Sequence, residues 1–229
     1  MIADKKEFGK GVALMVSFFA VLAVIFMPVF SGHNGLNYLD SLYNSISKGS
    51  AYYIPQMKED VLPYQGRTVT VELKLADENQ ARQTADLFNA AGAMVNINGD
   101  LIKVSGDLGA ILQQSLEDAD LMYHNNGKAV SGKYGYPERQ ALYNWWSALK
   151  AMDKNLKKQE LFEEAKIVAN VQQKAVECSY NYYGIAPEKI SDKVGIVLFS
   201  LVFYVIYTLW YGFGIMYMFE GWGLQLGDH

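Results

Sequence analysis

Residues 11–30 read GVALMVSFFAVLAVIFMPVF, and residues 194–219 read VGIVLFSLVFYVIYTLWYGFGIMYMF. Neither stretch holds a charged side chain, and each is long enough to cross a hydrocarbon core of ~30 Å as a helix. These two runs decide the architecture: a membrane protein of α+β class, with two transmembrane helices flanking one large middle domain. All ionisable groups therefore belong to the middle and the tails. The expected divisions are a tail at 1–10, a first span at 11–30, an amphipathic helix with an irregular connection at 31–66, and a small α/β unit at 67–135. A helical hairpin at 136–184, a linker at 185–193, a second span at 194–219 and a tail at 220–229 complete the chain.

The apolar part of the first run exceeds the core of a cleaved signal, and Ser31-Gly-His-Asn-Gly35 offers no small-residue cleavage pattern, so it reads as a retained signal-anchor. Lys5, Lys6 and Lys10 precede it; Lys48, Lys189 and Lys193 stand on the domain side. By lysine count the two sides tie, and the first helix breaks the tie because it usually dominates orientation. The expectation is a chain integral to the cytoplasmic (inner) membrane, termini in the cytoplasm, and an extracytoplasmic domain, periplasmic in a cell with two membranes.

Beyond the first run, Leu36, Leu39, Leu42, Tyr43 and Ile46 recur at helical spacing, and Lys48-Gly-Ser50 is read as the break. Thr68–Leu75 alternates as a strand. Asp77 with Gln80 marks a helix start, and Gly92 its end. Residues 93–97 and 101–104 read as strands joined at Asn98-Gly99, a strong hairpin signal. Asp107 caps a helix striped by Leu108, Ile111, Leu112, Leu116, Ala119 and Met122. The order strand-helix-strand-strand-helix is that of a ferredoxin-like βαββα unit, with residues 128–134 as the candidate last strand. In element order alone it is similar to peptidoglycan-binding domains of the sporulation-related-repeat type. From Pro137 to Tyr183 the pattern is helical, with a polar stretch at 153–159 that suits the turn of a hairpin.

Chemistry-bearing motifs are sparse. Cys178 is the single cysteine, so no intrachain disulfide or cysteine-based metal site forms. The three histidines, His33, His124 and His229, share no metal-ligand spacing. No phosphate loop or nucleophile elbow is present. The carboxylates Glu117, Asp118 and Asp120, and Glu160, Glu163 and Glu164, read as solvated helix faces. A net charge of −4 gives no reason to expect nucleic acid. The sequence thus predicts no catalytic, metal or cofactor site.

Aromatic residues carry the functional signal. There are 16 tyrosines. Phe199, Phe203, Tyr207, Trp210, Phe213 and Tyr217 line one side of the second run, and tyrosine hydroxyls at mid-depth need partners. Ala13, Ser17 and Ala20 form a small-residue track on the first, of the kind that admits a close helix. Trp145-Trp146 is an adjacent pair that a narrow helix face cannot bury together, so it is a candidate domain contact. The expected partners are membrane lipid and other membrane subunits or a second copy of the chain. The expected role is that of a non-catalytic accessory, scaffold or assembly subunit of a larger membrane complex; the alternative is a ligand- or cell-wall-sensing module that signals through a separate membrane partner.

Overall fold

The computed structural model describes residues 2–30 and 32–224; the end of the expected tail, residues 225–229 with His229, lies outside them. The chain divides into two compact units, residues 48–186 and residues 1–47 with 187–229.

The middle unit is α+β. Its first complete helix, α3 (Ile54–Val61), follows α1 (Lys5–Phe26) and α2 (Gly35–Ser50). Two points depart from the sequence reading. Helix α2 runs through Lys48-Gly49 to Ser50 instead of breaking there. The connection expected at 51–66 is largely helical, because Ile54, Met57 and Val61 recur on one buried face. Pro55 lies in the first turn, where its missing N–H costs nothing, and Pro63 falls in a 3₁₀ turn, Leu62–Tyr64.

Strand β1 (Thr68–Lys74), helix α4 (Glu78–Ala90), strands β2 (Met94–Asn98) and β3 (Leu101–Asp107), and helix α5 (Leu108–Tyr123) follow in the expected order. The sheet is antiparallel with order β1-β3-β2, Val71 opposite Val104 and Ile97 opposite Ile102. Val69, Val71 and Leu73 point into the core while the intervening residues are exposed, so one face is packed and one solvated. The hairpin loop is Gly99-Asp100, one residue later than the Asn-Gly reading. Only Gly99 takes positive φ, as a turn with glycine in first central position requires. Asp77 and Asp107 cap α4 and α5 as expected, accepting from the backbone N–H of Gln80 at 2.8 Å and of Ala110 at 3.3 Å.

Residues 128–134 are not a strand. They belong to helix α6 (Gly127–Tyr134), which ends at a left-handed Gly135. Val130 is buried on its inner side, so tertiary packing overrides a sequence with weak preference for either state. The sheet therefore has three strands among the described residues.

The helical hairpin is present. Helix α7 (Glu138–Lys158) turns through residues 159–161, where Glu160 takes φ 61°, into α8 (Phe162–Val171). A π-helical stretch, Gln172–Glu177, leads to α9 (Cys178–Tyr182). Helix α7 lies beside β1, an edge strand. Asn155 Nδ2 donates to the Glu72 carbonyl at 3.1 Å and Gln159 Nε2 to that of Thr70 at 2.9 Å. Two side chains thus close an edge that otherwise offers a template for another strand.

The second unit contains α1, α2 as far as Ser47, and α10 (Ile190–Gly221). Both α1 and α10 are long and apolar enough to cross a membrane. At 1.5 Å per residue they measure about 33 and 48 Å. Each begins before the bounds read from the sequence: α1 at Lys5, capped by Asp4, and α10 at Ile190. Residues 5–10 and 190–193 are therefore helix rather than tail and linker. Helix α1 ends at Phe26, because Met27 precedes Pro28 and takes the extended conformation that proline imposes on its predecessor.

Candidate functional site

The two apolar helices run antiparallel and close on each other. Glycines permit the approach: a Cβ on Gly11 would stand 2.6 Å from the backbone nitrogen of Met218, and one on Gly221 2.4 Å from that of Phe8. Tyr207 donates its hydroxyl to the Phe18 carbonyl at 3.1 Å and Trp210 Nε1 donates to that of Leu14 at 3.0 Å. Phe18 stacks on Tyr207 with ring centroids 4.2 Å apart.

This geometry splits the predicted aromatic stripe. Phe203, Tyr207, Trp210 and Tyr217 are half-buried, with Lys10 Nζ over the Tyr217 ring, whereas Phe199 and Phe213 are exposed. It also moves the seam. Gly11, Leu14, Met15 and Phe18 of α1 meet α10, while Ala13 and Ala20 stay exposed and Ser17, half-buried, bonds only carbonyls of its own helix. The small-residue track lies off the seam between the helices.

Beside the aromatic stripe, Ser200, Tyr204, Thr208 and Tyr211 form a second line on α10, at spacings of four, four and three; Tyr204 and Thr208 are legible in the sequence as mid-span hydroxyls, Ser200 and Tyr211 are not. Ser200 Oγ donates to the Val197 carbonyl at 2.8 Å and lies 2.6 Å from the Tyr43 hydroxyl. Thr208 Oγ1 donates to the Tyr204 carbonyl at 2.8 Å. A tyrosine hydroxyl is too far from its own helix backbone to bond in that way. Tyr204 is 69% exposed and its hydroxyl meets no hydrogen-bond partner among the described residues.

In the middle unit the tryptophan pair separates. Trp145 is fully buried against Phe88, and its Nε1 donates to Asp118 Oδ2 at 2.8 Å. Trp146 is half-buried, donates to Glu177 Oε2 at 2.9 Å and stacks with Tyr143 at 6.0 Å. Trp146 and Tyr143 open into a groove of about 420 Å³ between α7 and β1, also lined by Glu72, Lys74, Lys150, Lys154 and Lys158. Lys150 Nζ stands 4.4 Å over the Trp146 ring.

Two predicted solvated acids are not solvated. Asp118 is fully buried and accepts from Lys133 Nζ at 3.1 Å, Tyr134 hydroxyl at 2.5 Å and Trp145 Nε1. Asp120 is half-buried and accepts from Lys58 Nζ at 2.7 Å and Tyr52 hydroxyl at 2.8 Å. Burial alone would raise the Asp120 pKa, but the bonds from Lys58 and Tyr52 outweigh it and hold the carboxyl below its ordinary value. Burial, reinforced by Asp120, pushes Tyr52 up to about 12.

Lys48 is buried as well. Its Nζ bonds the carbonyls of Ile185 at 2.6 Å and Tyr182 at 3.1 Å and Asn125 Oδ1 at 3.2 Å, and its own carbonyl accepts from the Tyr123 hydroxyl. Burial lowers its pKa. Two of these bonds tie residue 48, where the chain joins this unit, to Tyr182 and Ile185, where it leaves, and Asn125 Nδ2 donates to the same Ile185 carbonyl at 3.0 Å. Cys178 is half-buried with its thiol on the Ala51 carbonyl at 3.3 Å, and burial pushes its pKa up, away from the reactive thiolate. Among the described residues no three histidine, cysteine or acidic side chains stand together to hold a metal ion.

No protein-family profile, curated protein or solved structure matches the chain.

Proposed function

We propose that this is a two-span membrane protein acting as a non-catalytic accessory or assembly subunit, joined to another membrane protein through α10. In this reading α1 and α10 cross the cytoplasmic membrane as a hairpin, and the middle unit, with its ferredoxin-like order of elements, stands outside the cytoplasm. The observation that carries the reading is the contrast between Tyr204 and its neighbours. Tyr207 and Trp210 satisfy their polar atoms on α1, and Ser200 and Thr208 on α10 itself. Tyr204 lies near the middle of a 32-residue helix with its hydroxyl unpaired. A phenol held in hydrocarbon without a partner is unfavourable by a few kcal/mol, roughly, so its position supports a second helix supplying an acceptor there. Phe199, Phe213 and the Ala13–Ala20 track give further exposed surface around the hairpin.

The test is a photo-crosslinking amino acid placed at Tyr204 in native membranes. The expected result is a light-dependent adduct larger than the chain, absent when the probe sits at Leu198. An adduct of twice the chain mass makes the partner a second copy. Equal labelling of lipid alone from both positions refutes the proposal.

A further inference from the structure

We propose that the groove between α7 and β1 binds an acidic polysaccharide, its carboxylates held by Lys150, Lys154 and Lys158 and a sugar ring packed on Tyr143, which Trp146 holds in place. This rests on the groove alone and stands apart from the membrane reading.

The charge pattern comes first. Lys150, Lys154 and Lys158 repeat every four residues on α7, so each faces the next on one side of the helix. Like charges at that spacing destabilise a helix. Neighbouring acids elsewhere relieve such strain, as Asp153 does for Lys157 at 2.8 Å. Among the described residues none of these three lysines makes an ion pair. Lys74 adds a fourth ammonium from the β1 wall, itself paired with Asp100 at 3.7 Å, and Glu72 is the carboxylate in the lining. A chain of net charge −4 thus concentrates unpaired positive charge in one groove.

The aromatic surface comes second. The rings of Tyr143 and Trp146 lie within 21° of parallel and share this lining with the lysines. Tyr143 is 44% exposed. A pyranose offers an apolar face of C–H groups for such a surface and a polar rim for ammonium donors, and an acidic sugar puts its carboxylate on that rim. Ser147, in the same lining, accepts from Gln80 at 3.4 Å and keeps its hydroxyl proton to donate.

Two other polyanions fit less well. An extended acidic peptide would add to the free edge of β1, but Asn155 and Gln159 already occupy the carbonyls of Glu72 and Thr70. Single-stranded nucleic acid is held by a basic track along its backbone. Here the lysine row on α7 spans about 12 Å at the helical rise, the reach of a short oligosaccharide.

The experiment uses the full chain in discs of zwitterionic lipid at roughly 50 mM salt, where charge contacts are weakly screened. Calorimetry would measure binding of a galacturonic acid hexamer, a neutral maltohexaose, a glutamate hexamer and a deoxythymidine hexanucleotide. The expected result is that the acidic sugar binds about tenfold or more tightly than each of the others. Lys154→Glu and Trp146→Ala should each weaken it by about tenfold, with near-ultraviolet dichroism unchanged for Lys154→Glu. Lys128→Glu, on the exposed side of α6, should leave it unaltered. No binding of the galacturonate, equal or tighter binding of the peptide or oligonucleotide, or unchanged affinity in Lys154→Glu overturns the proposal.

Discussion

At the scale of single residues, Asp118 shows how tertiary context rewrites a sequence reading. It sits between Glu117 and Ala119 on a helix rich in acids, and that local pattern is of a wet face. In the fold Lys133 and Tyr134 of α6 and Trp145 of α7 converge on its carboxylate, satisfying three donors from two other helices. Asp118→Asn replaces one acceptor oxygen by a donor aimed at other donors. Breaking a buried charged pair costs about 3 kcal/mol or more, and an unfolding midpoint of a domain this size then falls by roughly 10 °C. Thermal unfolding of the full chain in detergent, followed by tryptophan fluorescence, should show that loss. Glu117→Gln, one residue away and exposed, should shift it by less than about 0.5 kcal/mol. Equal effects would mean that the network adds nothing. The Asp118 cluster was invisible in sequence because, apart from Gln114 on its own helix, its partners lie 15, 16 and 27 positions away. Caps such as Asp77 and Asp107 were visible because donor and acceptor are three residues apart.

At the scale of elements, the readable features were those whose cause is local. Strand alternation in β1, the hairpin at Gly99 and the apolar stripes of α4, α5 and α7 follow from periods of two and 3.6 residues. The short helices α3 and α6 escaped: two prolines mask the first, and the second carries Gly127 and Gly132 with little periodicity. In the apolar helices, periodicity marked faces but could not say which face meets which. The seam uses glycine, not the alanine-serine track, and this gives a sharp prediction. Gly11→Val places carbon where the Met218 backbone nitrogen and the Gly214 carbonyl already stand, at 2.6 and 2.8 Å. A short bifunctional maleimide should join cysteines introduced as Phe18→Cys and Tyr207→Cys in a Cys178→Ser background. Adding Gly11→Val should cut that yield several-fold. Gly9→Val, with nothing within 4 Å of its Cβ, should not. Equal yields in the two would show that close approach at Gly11 does not hold the pair.

At the scale of the whole molecule, the proposed two-span arrangement leaves a choice of which side of the membrane carries the middle unit, and the helix bounds alter the lysine balance. The orienting charges are those within about 15–20 residues of a span. With α1 ending at Phe26 rather than near residue 30, Lys48 falls outside that window, leaving Lys189 and Lys193 on the domain side. Lys5, Lys6 and Lys10 all stay within the first turns of α1. Three against two replaces a tie, in the same direction as the dominance of the first helix. The expected outcome is that a membrane-impermeant maleimide labels Lys103→Cys in intact bacterial spheroplasts, again in the Cys178→Ser background, whereas Ala3→Cys is labelled only after lysis. The causal step is testable separately: changing Lys5, Lys6 and Lys10 to glutamate removes the balance and should expose part of the Ala3→Cys population in intact spheroplasts. Labelling of Ala3→Cys but not Lys103→Cys in the parent would place the middle unit in the cytoplasm. An unchanged pattern in the triple variant would mean that the lysines do not set the orientation.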